Sequence, residues 1–107
     1  MKLTMSRTIN HPAPQTVELT EVLHALSDPV RLEIVRELAA EGGCQRRCGE
    51  FALPVTKSTL THHFRVLRES GVIEQVRCGT AKENRLRRED LDAQFPGLLA
   101  SVLNVGA

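Results

Sequence analysis

The sequence predicts a mainly α-helical fold with one small β-hairpin. Three observations carry that prediction. Apolar residues recur at helical spacing in separate stretches that begin near Leu19, Val30, Leu60 and Leu91. A β-like run from Val72 to Cys78 is followed by Gly79-Thr80-Ala81 and a second run from Glu83 to Arg87. Finally, 107 residues with no Trp, no Tyr and three Phe allow one domain with an aliphatic core.

Taken in order, residues 1–15 contain His11-Pro12 and Ala13-Pro14 with little periodicity, and they read as a flexible N-terminal arm. The domain proper is expected over residues 16–107. A first helix is predicted from Thr16 to Ser27, with Leu19, Val22, Leu23 and Leu26 at i, i+3, i+4, i+7. Asp28-Pro29 restarts the chain, because aspartate caps a helix and proline suits its first turn. The second helix then runs to about Glu41, burying Val30, Ile34, Val35 and Leu38, and Gly42-Gly43 ends it. A short helix is expected around Arg46–Ala52, before Pro54 breaks the chain.

The stretch Thr56 to Gly71, TKSTLTHHFRVLRESG, is the best-marked helix. Thr56 or Ser58 can cap it, and Gly71 can take the left-handed conformation that stops it. Leu60, Phe64 and Leu67 form a narrow core-facing stripe. The opposite side carries Lys57, Ser58, Thr61, His62, Arg65 and Arg68, with no acid until Glu69. Short hydrogen-bonding groups in front and cations behind suit a helix that enters a DNA major groove by its N-terminal end. The plainer reading is a solvated helix face. His63 lies beside the apolar stripe, which favours a structural role.

A short helix, a turn and a helix with a polar tip make a helix-turn-helix, and a hairpin directly behind it makes a wing. Arg77, Lys82, Arg85, Arg87 and Arg88 would supply that wing with cations for the DNA backbone or the minor groove. The last segment starts at Arg88-Glu89-Asp90 and continues through Leu91, Phe95, Leu98, Leu99 and Val102. Pro96 either kinks it or starts a new helix. With the first helix, this apolar face is assigned to a homodimer interface; the alternative is that it closes the monomer core.

Charge follows the same division. Residues 57–88 hold eight Lys/Arg against three Asp/Glu, although the whole chain is only +1. Concentrated basic charge is what phosphate binding needs. It argues against a winged helix that binds only proteins. No Gly-rich phosphate loop, HExxH or paired carboxylates suggest an enzyme. No export signal or membrane-length apolar run is present, so a cytoplasmic chain with reduced thiols is expected.

Three pieces, ALSDPVRLEIVRELAAEG at 25–42, KSTLTHHFRVLRESGVI at 57–73 and the hairpin up to LRRED at 86–90, together resemble the ArsR/SmtB family of small dimeric winged helix-turn-helix repressors. The α-α-α-α-β-β-α order read from the residues fits it, and the resemblance implies repression of an operon with release by an effector; two such subunits should bind an inverted-repeat operator on double-stranded DNA. The resemblance also implies that Lys57, Ser58, Thr61 and His62 lie where relatives touch bases or phosphates. The chain departs from metal-sensing members: it lacks a CxC motif, and its last helix has no histidine. Cys44 and Cys48 remain as candidate sensor thiols. On a helix they would share a face with their Cβ atoms about 5–6 Å apart, against the roughly 3.5–4.5 Å of a disulfide. They could oxidise, or hold a soft transition metal with His11 or Cys78 completing the set. They could equally be small half-buried hydrophobes. No other cofactor is indicated.

Overall fold

The computed structural model describes residues 16–40, 46–47, 55–78 and 81–104, with residues 46, 47, 76–78, 81 and 82 described by backbone alone. The expected arm, residues 1–15, lies outside them. The elements are α1 (Leu19–Leu26), α2 (Pro29–Ala40), β1 (Arg46–Arg47), α3 (Lys57–Ser70), β2 (Ile73–Cys78), β3 (Ala81–Leu86), α4 (Arg88–Gln94) and α5 (Leu98–Asn104). This is the winged helix-turn-helix architecture, mainly helical with an antiparallel hairpin. No helix among the described residues is long and apolar enough to cross a membrane.

The segment before α3 departs from expectation. The predicted short helix would begin at Arg46, but Arg46 and Arg47 are extended and pair with Asn84 and Glu83 of β3. The rest of that segment lies outside the described residues. The wing therefore belongs to a three-stranded sheet with β3 in the middle. Its inner register is marked by a buried amide pair, Gln75 Nε2 donating to Asn84 Oδ1 at 2.8 Å. The last segment is two helices, the second of the two outcomes expected at Pro96. Pro96 cannot donate a backbone N–H, and Gly97 takes φ +83 between Phe95 and Leu98.

The core gathers Val22, Ala25 and Leu26 of α1, Ile34, Val35 and Leu38 of α2, and Phe64 and Leu67 of α3. Val72, Ile73, Leu86, Leu91 and Leu99 close it below. The first helix begins later than predicted, at Leu19. Leu19 and Leu23, expected on the packed stripe, are 43% and 45% exposed.

A polar junction fixes how α3 sits on this core. Asp28 caps α2, its Oδ2 accepting from Val30 N at 2.9 Å and Arg31 N at 3.0 Å. Arg31, buried at 7% exposure, turns back to the end of α1. Its Nε donates to the Ala25 carbonyl at 2.7 Å and its Nη2 to the His24 carbonyl at 3.3 Å. Its Nη1 lies 3.1 Å from His63 Nδ1 on α3. A guanidinium only donates, so Nδ1 accepts and the His63 proton sits on Nε2. Nε2 lies 3.9 Å from Asp28 Oδ2. One arginine thus joins the end of α1, the start of α2 and the middle of α3.

Burial pulls the His63 pKa below the usual histidine value; the Asp28 carboxylate works against this, while Arg31 and His62 add to it. For Asp28, burial alone would raise the carboxyl. The N–H bonds from Arg31 and Val30 and the nearby His63 and Arg31 charges outweigh it and lower the value.

Two stability predictions follow from this geometry. The folded state refuses a proton at His63 that the unfolded chain accepts below about pH 6.5. Stability is therefore complete above that pH and falls as the pH drops toward the lowered folded value. Urea midpoints measured between pH 5 and 8 should show that slope, and His63→Gln should flatten it. Gly71 ends α3 at φ +91, and an added Cβ would lie 2.5 Å from Val17 Cγ2; at Gly97 nothing lies within 4 Å. Gly97→Ala should cost about 1–2 kcal/mol from the left-handed backbone alone. Gly71→Ala should cost more in the same denaturation experiment.

Candidate DNA-binding face

The tip of α3 is built by its cap. Thr56 takes extended backbone, and its Oγ1 accepts from Thr59 N at 3.2 Å while lying 2.9 Å from Thr59 Oγ1. Of the two predicted caps, Thr56 is the one used. Behind it, Ser58, Thr61, His62 and Arg65 fall at i, i+3, i+4, i+7, and all four are exposed. Lys57, at the first helical position, is exposed as well. Phe64 and Leu67, on the other side, are buried. The helix thus presents a polar stripe to solvent and an apolar one to the core, as its sequence predicts.

The polar stripe has internal order. Thr61 Oγ1 donates to the Lys57 carbonyl at 3.0 Å. Arg65 Nη2 lies 3.3 Å from His62 Nδ1. His63, next in sequence, points inward with 8% exposure and serves the junction described above, the structural role its position indicated.

The wing cations divide into groups. Arg85 is exposed and lies 3.6 Å from Glu74 across the hairpin, a surface pair weak enough for a phosphate to compete. Arg77 and Lys82 are cross-strand partners near the hairpin end, known here by their backbone positions. Arg88 pairs with Asp92 at 3.8 Å. Arg87 corrects the expectation: it is buried at 7% exposure, with both Nε and Nη2 3.1 Å from Asp90 Oδ2. Its role is to tie the end of β3 to α4. Arg68, placed by sequence on the polar side of α3, is largely covered and lies 3.8 Å from Glu69.

Cys44 and Cys48 lie outside the described residues. The helical face they were expected to share is not present at Arg46–Arg47, which are β1. Among the described residues, no group of three His, Cys, Asp or Glu side chains could hold a metal ion. Sequence reasoning missed Arg31. The signal was its position, since 31, 34, 35 and 38 have the spacing of one helix face.

Comparison with known proteins agrees with this architecture. A helix-turn-helix domain model matches residues 26–76, from the end of α1 to within β2. An uncharacterized HTH-type transcriptional regulator of Bacillus subtilis (strain 168), YceK, is 32% identical over 84 residues, covering 77% of this chain and 83% of that protein. The structure of an ArsR-like transcriptional regulator from Rhodococcus sp. RHA1 superposes with a TM-score of 0.61 over 88% of this chain and 97% of that one. At 24% identity it supports the fold. With a recognition-type helix, a wing and a regulator relative along most of its length, the chain belongs to the HTH-type transcriptional regulators, a DNA-binding family without enzymatic activity, and has the winged helix-turn-helix fold.

Proposed function

We propose that the protein is a dimeric, sequence-specific repressor that binds an inverted-repeat operator and is released by an effector. The observation that carries this reading is the exposed row Ser58, Thr61, His62 and Arg65 at the capped end of α3. Lys57 and Arg65 supply phosphate contacts, while Ser58, Thr61 and His62 reach base edges. Arg77, Lys82 and Arg85 grip the backbone or the minor groove from the wing. Residues 16–107 form the DNA-binding and dimerisation unit, residues 1–15 its flexible arm, and the cytoplasm its place of action.

Dimerisation is supported by Leu19 and Leu23, one helical turn apart on α1 and both exposed. Leu98, Val102 and Leu103 of α5 are only partly buried. Two such subunits present two α3 helices to successive turns of one duplex face.

A second reading adds a thiol or soft-metal sensor at Cys44 and Cys48. What favours it is that β1, lying between these cysteines in sequence, is hydrogen-bonded to the middle strand of the wing sheet. A change at either thiol would act on the wing through that ladder. The metal version rests on these two cysteines alone, and no step is derived from it. Operator affinity of reduced, oxidised and metal-loaded protein, beside Cys44→Ser/Cys48→Ser, tests it. Equal affinity in every case removes the sensor and leaves the repressor intact.

Electrophoretic shifts on the DNA upstream of the protein's own coding sequence should survive competition by random duplex, and equal competition would reject specific reading. Lys57→Ala should weaken binding to all sequences alike and lower the slope of log K against log salt by about 1. In sedimentation, the wild type should run as a dimer and Leu19→Lys/Leu23→Lys as a folded monomer with lost operator affinity. A monomeric wild type would overturn the assembly.

A further inference from the structure

The hydrogen bonds within the polar stripe decide which atoms of α3 remain for DNA, and so which bases it selects. Resting on the DNA-reading proposal above, we propose that α3 reads a half-site in which a guanine faces His62 and a base other than guanine faces Thr61.

Arg65 has only donors to offer, so its 3.3 Å approach to His62 Nδ1 makes that nitrogen the acceptor. The imidazole proton then sits on Nε2. His62 therefore meets the groove with one N–H donor. Guanine shows two adjacent major-groove acceptors, N7 and O6, to such a donor. Adenine shows one acceptor beside an amino donor, thymine a single acceptor, O4, beside its methyl group, and cytosine an amino donor. Guanine accepts the proton at either atom; adenine accepts it only at N7, with its amino group opposed alongside, and cytosine sets N–H against N–H.

Thr61 has the opposite character. Its single hydroxyl hydrogen is given to the Lys57 carbonyl at 3.0 Å. The lone pairs and the methyl group are left for DNA. That combination suits a base amino group or the thymine methyl and sets oxygen against oxygen where guanine O6 would lie. The two neighbours on the exposed face thus sort guanine in opposite directions, one selecting it and one rejecting it. Arg65 acts here as a positioning residue: besides its charge, it fixes the tautomer that His62 presents.

The test is selection from a randomised duplex library with the full-length chain, followed by affinity measurements on the selected site and its single-base variants. The wild type should prefer guanine over adenine at one position of each half-site by about three- to ten-fold, the worth of one hydrogen bond. Replacing that guanine by 7-deazaguanine should weaken binding. His62→Asn, whose amide pairs with adenine, should shift the preference at that position toward adenine. Arg65→Met should shrink the guanine-to-adenine ratio there, whereas a plain phosphate clamp would lower affinity for all bases equally. Thr61→Val should admit guanine at the neighbouring position by removing the opposed oxygen. All three side chains are exposed, and circular dichroism checks that each variant is folded. A library that yields no site bound better than random duplex overturns specific reading and this inference with it. Specific sites whose base preferences are unmoved by His62→Asn and Arg65→Met overturn this inference alone.

Discussion

The orientation of α3 depends on a guanidinium that has almost no access to water. Burying Arg31 is costly unless each donor finds a partner. Its Nε and Nη2 close the carbonyl end of α1, and its Nη1 meets the one nitrogen of His63 able to accept. The Ala25 carbonyl is among those a helix end leaves without intrahelical partners; the His24 carbonyl, already bonded by Ser27 N and Oγ, takes the guanidinium as a further donor. One side chain therefore meets an obligation created by α1 while locating α3. Asp28 completes the arrangement by capping α2 beside it. Apolar packing of Phe64 and Leu67 would hold α3 against the core with some freedom to slide or roll. Directional bonds on His63 remove that freedom.

This junction explains which parts of the molecule were legible in the sequence. The reading helix could be placed within one residue at either end because cap, stripe and stop agree: Thr56, then Leu60/Phe64/Leu67, then Gly71. Local signals of that kind do not depend on what packs against them. Arg31 was not legible as a buried residue because a cation on a helix is ordinarily solvated. Only the partners brought by α1 and α3 make its burial tolerable, and those are long-range facts. The same holds for Arg87, counted with the wing by sequence and drawn inward by Asp90. Strand β1 is two residues long, too short for any period to show, and exists because β3 offers it an edge. The polar face of α3 was legible as a row of residues. Its internal hydrogen bonds were not, since they depend on rotamers.

The eight Lys/Arg of residues 57–88 consequently serve two ends. Arg87 is structural, joining the wing to α4. Lys57, Arg65 and Arg85 are exposed and lie on α3 or on β3, the middle strand of the wing sheet. The Arg85–Glu74 pair, in water and at 3.6 Å, holds its charge loosely. A formal charge count overstates what the duplex would meet. Those three exposed cations stand on two elements fixed to one core.

His62 and His63 show how the two requirements are reconciled along a helix. They are adjacent in sequence, their ring centroids lie 5.8 Å apart, and each has an arginine nitrogen within 3.3 Å of Nδ1. One arginine comes from another helix and is buried, and the other comes from the next turn and is exposed. The inner pair spends its hydrogen bonds on rigidity, the outer pair on presenting a defined donor. Because helical geometry turns successive side chains by about 100°, the inner bond sets the direction of the outer ring. A helix free to roll about its axis would blur the direction of its exposed polar atoms even with every residue of the polar stripe intact. In the proposed mode of DNA reading, anchoring at position 63 is thus what would give the exposed ring at position 62 a fixed direction.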